Sequence, residues 1–130
     1  MNRLLAPLAC LLVAACQTTP PPAPTGGKSA ALSMMEQVAI AANRCWFGSK
    51  DEAFRPYRFA NELNSFSGRP RFLLVPARSP EARPLLVVQA EGTPARLQAF
   101  GPLMEGEHAE RISSDLRRWS SGEQGCAAAA

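Results

Sequence analysis

Histidine is almost missing from this chain of 130 residues: His108 is the only one. A nucleophilic site needs a base beside its nucleophile, and an imidazole-rich zinc site needs several histidines, so both chemistries lack their usual residues. His108 stands in the polar stretch GEHAER and reads as a solvated surface side chain. A glycine-rich phosphate loop is absent too. The segment NSFSGR, residues 64–69, lacks the first glycine of a GxSxG elbow, so Ser65 and Ser67 read as loop residues. Carboxylate pairs such as Asp51 with Glu52 and Glu105 with Glu107 lie in charged segments, where nothing separates their pKa values for acid and base roles. No internal repeat is visible. The formal charge of +3 is too small a bias to indicate nucleic acid. These absences leave an enzymatic reading without a motif, and they imply neither a cofactor nor a metal.

Long apolar runs are also lacking. Leu4–Ala15 is the longest, twelve residues broken by Pro7, against the roughly 20 that a membrane-spanning helix requires. With the basic start Met1–Arg3 before it, the run reads as the core of a secretory signal peptide over residues 1–15. It ends in Val13-Ala14-Ala15-Cys16, which resembles the bacterial lipobox: an aliphatic residue, two small residues, then the cysteine that becomes the acylated N-terminus. An ordinary signal peptide cut near Ala15 is the competing reading. Gln17 follows the cysteine where an inner-membrane lipoprotein would carry Asp. The resemblance therefore implies a Gram-negative outer-membrane lipoprotein, anchored through Cys16 and facing the periplasm. Several acyl chains would make that anchor stable, since one chain alone binds only marginally. The resemblance ends at the lipobox.

Two cysteines remain once Cys10 leaves with the signal and Cys16 takes lipid: Cys45 and Cys126, 81 positions apart. In an oxidising compartment an isolated pair is the simplest disulfide framework, and a redox pair would bring the thiols together as CxxC.

From Gln17 to Ala31 the chain reads QTTPPPAPTGGKSAA, with almost nothing that could enter a core. Residues 16–31 are expected to form a lipidated, Pro-rich tether; fifteen extended residues at about 3.1 Å each would reach roughly 45 Å. Ser33-Met34-Met35-Glu36 matches a capping box, and Met35, Val38, Ala42 and Cys45 repeat at helical spacing, so a helix is expected from Ser33 to about Trp46. A second apolar stripe, Ala109, Ile112, Leu116 and Trp119, predicts another, with Glu107, Arg111 and Asp115 spaced four apart on its wet side and Gly122 as its stop. Between them lie four candidate strands: Tyr57–Ala60, Arg71–Val75, Leu85–Ala90 and Ala95–Ala99, the middle two joined as a wide hairpin by the polar loop 76–83. The expected fold is α+β over residues 32–126: an antiparallel four-stranded sheet with both helices on one face, followed by a disordered tail at 127–130.

Arginine is the compositional oddity, supplying 12 of the 14 basic residues. Arg55, Arg58, Arg69, Arg71, Arg78 and Arg83 fall within one stretch, and a guanidinium grips phosphate or carboxylate through paired hydrogen bonds that lysine cannot make. The competing explanation is a G+C-rich gene that encodes arginine wherever a positive surface residue is wanted. Neither face of the central hairpin is plainly polar, and two helices cover only one face; the other is either closed by loops or offered to a partner. The leading functional expectation is thus a non-enzymatic, outer-membrane-anchored module that binds an envelope protein or assists envelope assembly. The alternative is direct binding of lipopolysaccharide, through lipid A phosphate, or of peptidoglycan by the arginines.

If Cys16 is the acylated N-terminus, Cys16→Ser leaves a soluble or uncleaved precursor, detectable by membrane fractionation and intact mass. Normal processing and outer-membrane retention of that variant would refute the lipobox reading.

Overall fold

A computed structural model of the protein describes residues 28–65 and 67–127. The first helix, α1, spans Ala30–Ala42, a run rich in the strongest helix formers. Its N-cap is Ser29, whose hydroxyl accepts the Leu32 N–H at 3.1 Å. This corrects the capping box placed at Ser33. Ser33 lies one turn inside the helix with its N–H bonded to Ser29 O at 3.0 Å, and Glu36 pairs instead with Lys28 at 2.6 Å. Ala30, Ala31 and Leu32 extend the helix at no propensity cost, so the last residues assigned to the tether belong to the domain. Met35, Val38, Ala42 and Cys45 are all buried, as their spacing predicts.

After Ala42 the chain continues through a π-helical turn, Asn43–Gly48, in which Ser49 N–H reaches back five residues to Arg44 O at 3.0 Å. The turn drives Cys45 and Trp46 inward together. A single 3₁₀ turn, Glu52–Phe54, buries Phe54 and leads into the sheet.

The four strands β1 (Tyr57–Glu62), β2 (Arg71–Pro76), β3 (Leu86–Glu91) and β4 (Arg96–Phe100) pair antiparallel in chain order. The second helix, α2, spans Ala109–Ser120. This is the expected α+β fold, and alternation assigns its faces. Phe72 and Leu74 on β2, with Leu86, Val88 and Ala90 on β3, join Met35, Val38 and Trp46 from the N-terminal helical segment and Ile112, Leu116 and Trp119 from α2 in one core. Both helices therefore cover the same side of the sheet. Each large side chain fully buried there contributes roughly 1.5–3 kcal/mol.

Leu73 and Val75 point the other way, outside that core, yet they are only 9% and 4% exposed. Strand pairing explains this: Leu73 stands between Ala60 and Val87, and Val75 beside Arg58, so neighbouring side chains close over the central strand. Further along the same face a polar band runs across the strands. Arg71 Nε donates to Glu62 at 2.5 Å, Gln89 Nε2 to Gln98 Oε1 at 2.9 Å, and Gln98 Nε2 to Glu91 Oε1 at 3.2 Å. Gly101 ends β4 at φ +122, where a Cβ would lie 2.6 Å from Leu85 O; only glycine lets the chain turn so close beneath β3.

Cys45 and Cys126 are disulfide-bonded. The bridge joins the π-turn after α1 to the tail beyond α2, the connection their positions predicted. Replacing either cysteine by alanine is expected to lower the unfolding free energy by about 2–5 kcal/mol in urea titrations of oxidised protein. The double variant should cost no more than either single one, and a Cys126→Ala protein with unaltered stability would show the bridge to be dispensable.

Candidate functional site

Among the described residues the one carboxylate in the core is Asp115, 1% exposed. It stands three residues after Ile112 and four before Trp119, on the apolar stripe of α2 rather than on the wet side, which corrects the reading of the Glu107–Arg111–Asp115 series. Its Oδ2 accepts the Trp46 Nε1–H at 2.8 Å, its Oδ1 accepts from Arg118, and Arg111 Nε lies 3.7 Å away. Both oxygens are occupied. A buried carboxylate with a donor on each oxygen holds structure together.

Arg111 extends the network outward. Its guanidinium contacts Asp51 Oδ2 at 2.5 Å and lies over the Phe54 ring, 5.3 Å from the centroid. Asp51 in turn caps the Glu52–Phe54 turn by accepting the Ala53 N–H at 3.0 Å. Asp51 is thus tied down rather than merely solvated, as the charged segment around it suggested. The Arg111 hydrogen bond, aided by the Ala53 N–H and the positive charges nearby, holds its pKa below the ordinary 3.8 although burial opposes the shift. His108 is partly covered rather than fully solvated, with its ring 6.4 Å from that of Phe54 and Nε2 3.6 Å from Glu107. Ser65 and Ser67 bond to one another, Ser65 Oγ donates to Arg69 O and Ser67 Oγ accepts the Arg69 N–H, as loop residues do.

The six candidate arginines divide between the two ends of the sheet. Arg69 pairs with Glu91 at 3.1 Å and Arg71 with Glu62 at 2.5 Å, both beside the polar band. Arg55, Arg58, Arg78 and Arg83 gather toward the other end, where β1 begins, β2 ends and the hairpin loop returns. Arg55 forms an i,i+3 pair with Glu52, 3.0 Å, with both side chains largely exposed. Among the described residues Arg58, Arg78 and Arg83 form no ion pair. Cys16 lies outside the described residues.

A feature not read from the sequence lies between α1 and β1. A groove of about 420 Å³ is lined by Ala39, Ile40, Phe59, Asn61 and Leu63, with Lys28 and Glu36 at its end. Ile40 is 62% exposed on its rim. The signal was present: an isoleucine off the Met35–Val38–Ala42 stripe has no place in the core. The groove runs beside the free edge of β1. Ala77 N–H donates to Pro56 O, so Pro56, Arg58, Ala60 and Glu62 are the residues whose backbone groups bond to β2. Alternation turns the N–H and C=O groups of Tyr57, Phe59 and Asn61 outward.

No family model, curated protein or solved structure matches the chain.

The Asp51–Arg111 pair gives stability a pH signature. With the folded pKa depressed, its contribution is complete above the ordinary aspartate range and is lost as pH falls through the folded value. Acidification from about pH 5 to pH 2 should therefore cost the native protein more stability than Asp51→Asn, measured by denaturant unfolding. Identical acid profiles would show that the pair carries none of it.

Proposed function

We propose that this protein is a lipid-anchored envelope module that captures an extended segment of another envelope protein. The segment would add as a fifth strand to β1, in the groove beside α1. The observation that carries the reading is the unpaired outer edge of β1 alongside an apolar groove. The outward backbone groups of Tyr57, Phe59 and Asn61 recur at every second residue, the spacing at which a partner strand presents its own donors and acceptors. Ile40, Leu63 and Phe59 offer apolar surface for alternate side chains of that strand. The opposite sheet face offers less, because its central residues Leu73 and Val75 are already covered, leaving Phe100 as the large apolar side chain exposed there. Attachment at Cys16 and the Pro-rich tether would hold the domain within reach of periplasm-facing partners at the outer membrane.

A photoreactive amino acid at position 40 is expected to cross-link to a partner in intact cells, whereas one at the exposed Glu110 is not. Asn61→Pro should abolish the product without unfolding the domain, since it removes an outward N–H from an edge strand. Cross-links from position 40 that persist in Asn61→Pro would overturn strand addition, and equal labelling from Glu110 would show that the groove is not the docking site.

A further inference from the structure

The geometry points to a phosphate-binding site at the end of the sheet where β1 begins and β2 ends, held between Arg55 and Arg78. These two arginines line one hollow of about 510 Å³ whose floor is Pro56, Pro76 and Ala77. Their meeting follows from register. Tyr57 stands opposite Pro76 and Ala77 N–H bonds to Pro56 O at 2.9 Å, so Arg55 in the turn before β1 and Arg78 in the turn after β2 flank the same end of the sheet. Two like charges lining one hollow repel, and each would gain from a shared anion.

Charge accounting separates this pair from the other arginines. Arg69 and Arg71 already contact Glu91 and Glu62 beside the polar band. Arg78 has no carboxylate partner among the described residues, and Arg55 has only Glu52 across an exposed contact that solvent weakens. Arg58, exposed and also without an ion pair among the described residues, lies two residues from Pro56 on the same face of β1. Arg83 returns in the hairpin loop at this end. Such an accumulation of cations suits a phosphate monoester, with up to two negative charges and three acceptor oxygens, better than a single carboxylate. The apolar floor suits a phosphate carried on a hydrocarbon-bearing molecule. The phosphate group itself is common to a lipid headgroup and to a free phosphate, and the site is separate from the groove on the outer side of β1.

The test follows the arginine Nε–Hε resonances of the full-length chain in a maltoside detergent free of phosphate. Inorganic phosphate should shift the Arg55 and Arg78 signals, saturably, beyond the effect of chloride at equal ionic strength. Phosphatidic acid dissolved in the micelles should do so at lower concentration if the source is a lipid headgroup, and at no lower concentration if it is a free phosphate; phosphatidylcholine should not act in either case. Arg55→Gln with Arg78→Gln should weaken phosphate binding about tenfold or more, the loss of at least one charge-assisted hydrogen bond. Arg55→Lys with Arg78→Lys should also weaken it although charge is kept. Arg69→Gln with Arg71→Gln should leave it unchanged. Equal loss from both glutamine pairs, shifts matched by chloride, or retention on purified sacculi without any response to phosphate would each overturn the assignment. Unchanged melting temperatures verify that these substitutions leave the fold intact.

Discussion

A carboxylate inside an aromatic core survives only if donors meet both of its oxygens, and this requirement at Asp115 organises the helical layer. Trp46 stacks on Phe54 with centroids 4.5 Å apart and lies 5.2 Å from Trp119, so its indole N–H would have no water to bond. Asp115 supplies the acceptor. The bond joins the π-turn to α2 across a long sequence separation, fixing the rotation of the helix by a polar contact with one allowed geometry. Removing one partner of such a buried charged pair typically costs about 3–5 kcal/mol, whereas replacing the whole set with apolar groups can cost little. The network is therefore better understood as fixing one arrangement than as the main source of stability, which lies in the surrounding aromatic burial.

The same network extends into the tail. Arg118, having met Asp115, also donates to Gly125 O at 3.0 Å, and Trp119 Nε1 donates to that oxygen at 2.9 Å. Arg44 donates to Gln124 O from the other side. The strand of chain that carries Cys126 is thus positioned by side chains from α2 and the π-turn before any covalent bond is considered. The disulfide acts on the unfolded chain, by restricting its conformations, while the hydrogen bonds act on the folded one. Two mechanisms with different origins converge on the same few residues.

Much of the fold was legible because it depends on local periodicity. Spacings of three and four marked Met35–Cys45 and Ala109–Trp119, alternation marked β1 and β4, and short apolar, partly β-branched runs marked β2 and β3, each within a residue or two. The cap at Ser29 was missed because Ser33 with Glu36 matched the same signature; what decided between them was the helix propensity of Ala30–Leu32. Asp115 was misread for a different reason. A charge at i+4 from Arg111 looks like surface pairing, but position 115 lies on the apolar stripe, and its stabilising donor, Trp46, is distant in sequence. The Asp51–Arg111 contact was beyond local pattern, and of the β1 groove Ile40 off the apolar stripe was the one local sign, since each depends on how separate elements pack.

On the proposed reading the sheet's edges and ends, rather than its broad faces, serve recognition. A helical layer closes one face, and on the other the central strand is shielded by its neighbours and by a polar band whose hydrogen bonds are internally satisfied. A partner docking there would have to break those bonds or bury little apolar surface. At the outer edge of β1 the balance reverses: backbone groups already facing solvent can bond to a new strand, and Ile40 can leave water on doing so. At the arginine-rich end an anion would relieve repulsion between cations, with the exposed Glu52 contact of Arg55 the one ion pair among the described residues to displace. Binding is favoured where the folded domain leaves its own demands unmet, and in this domain those places lie along and at the start of the same strand.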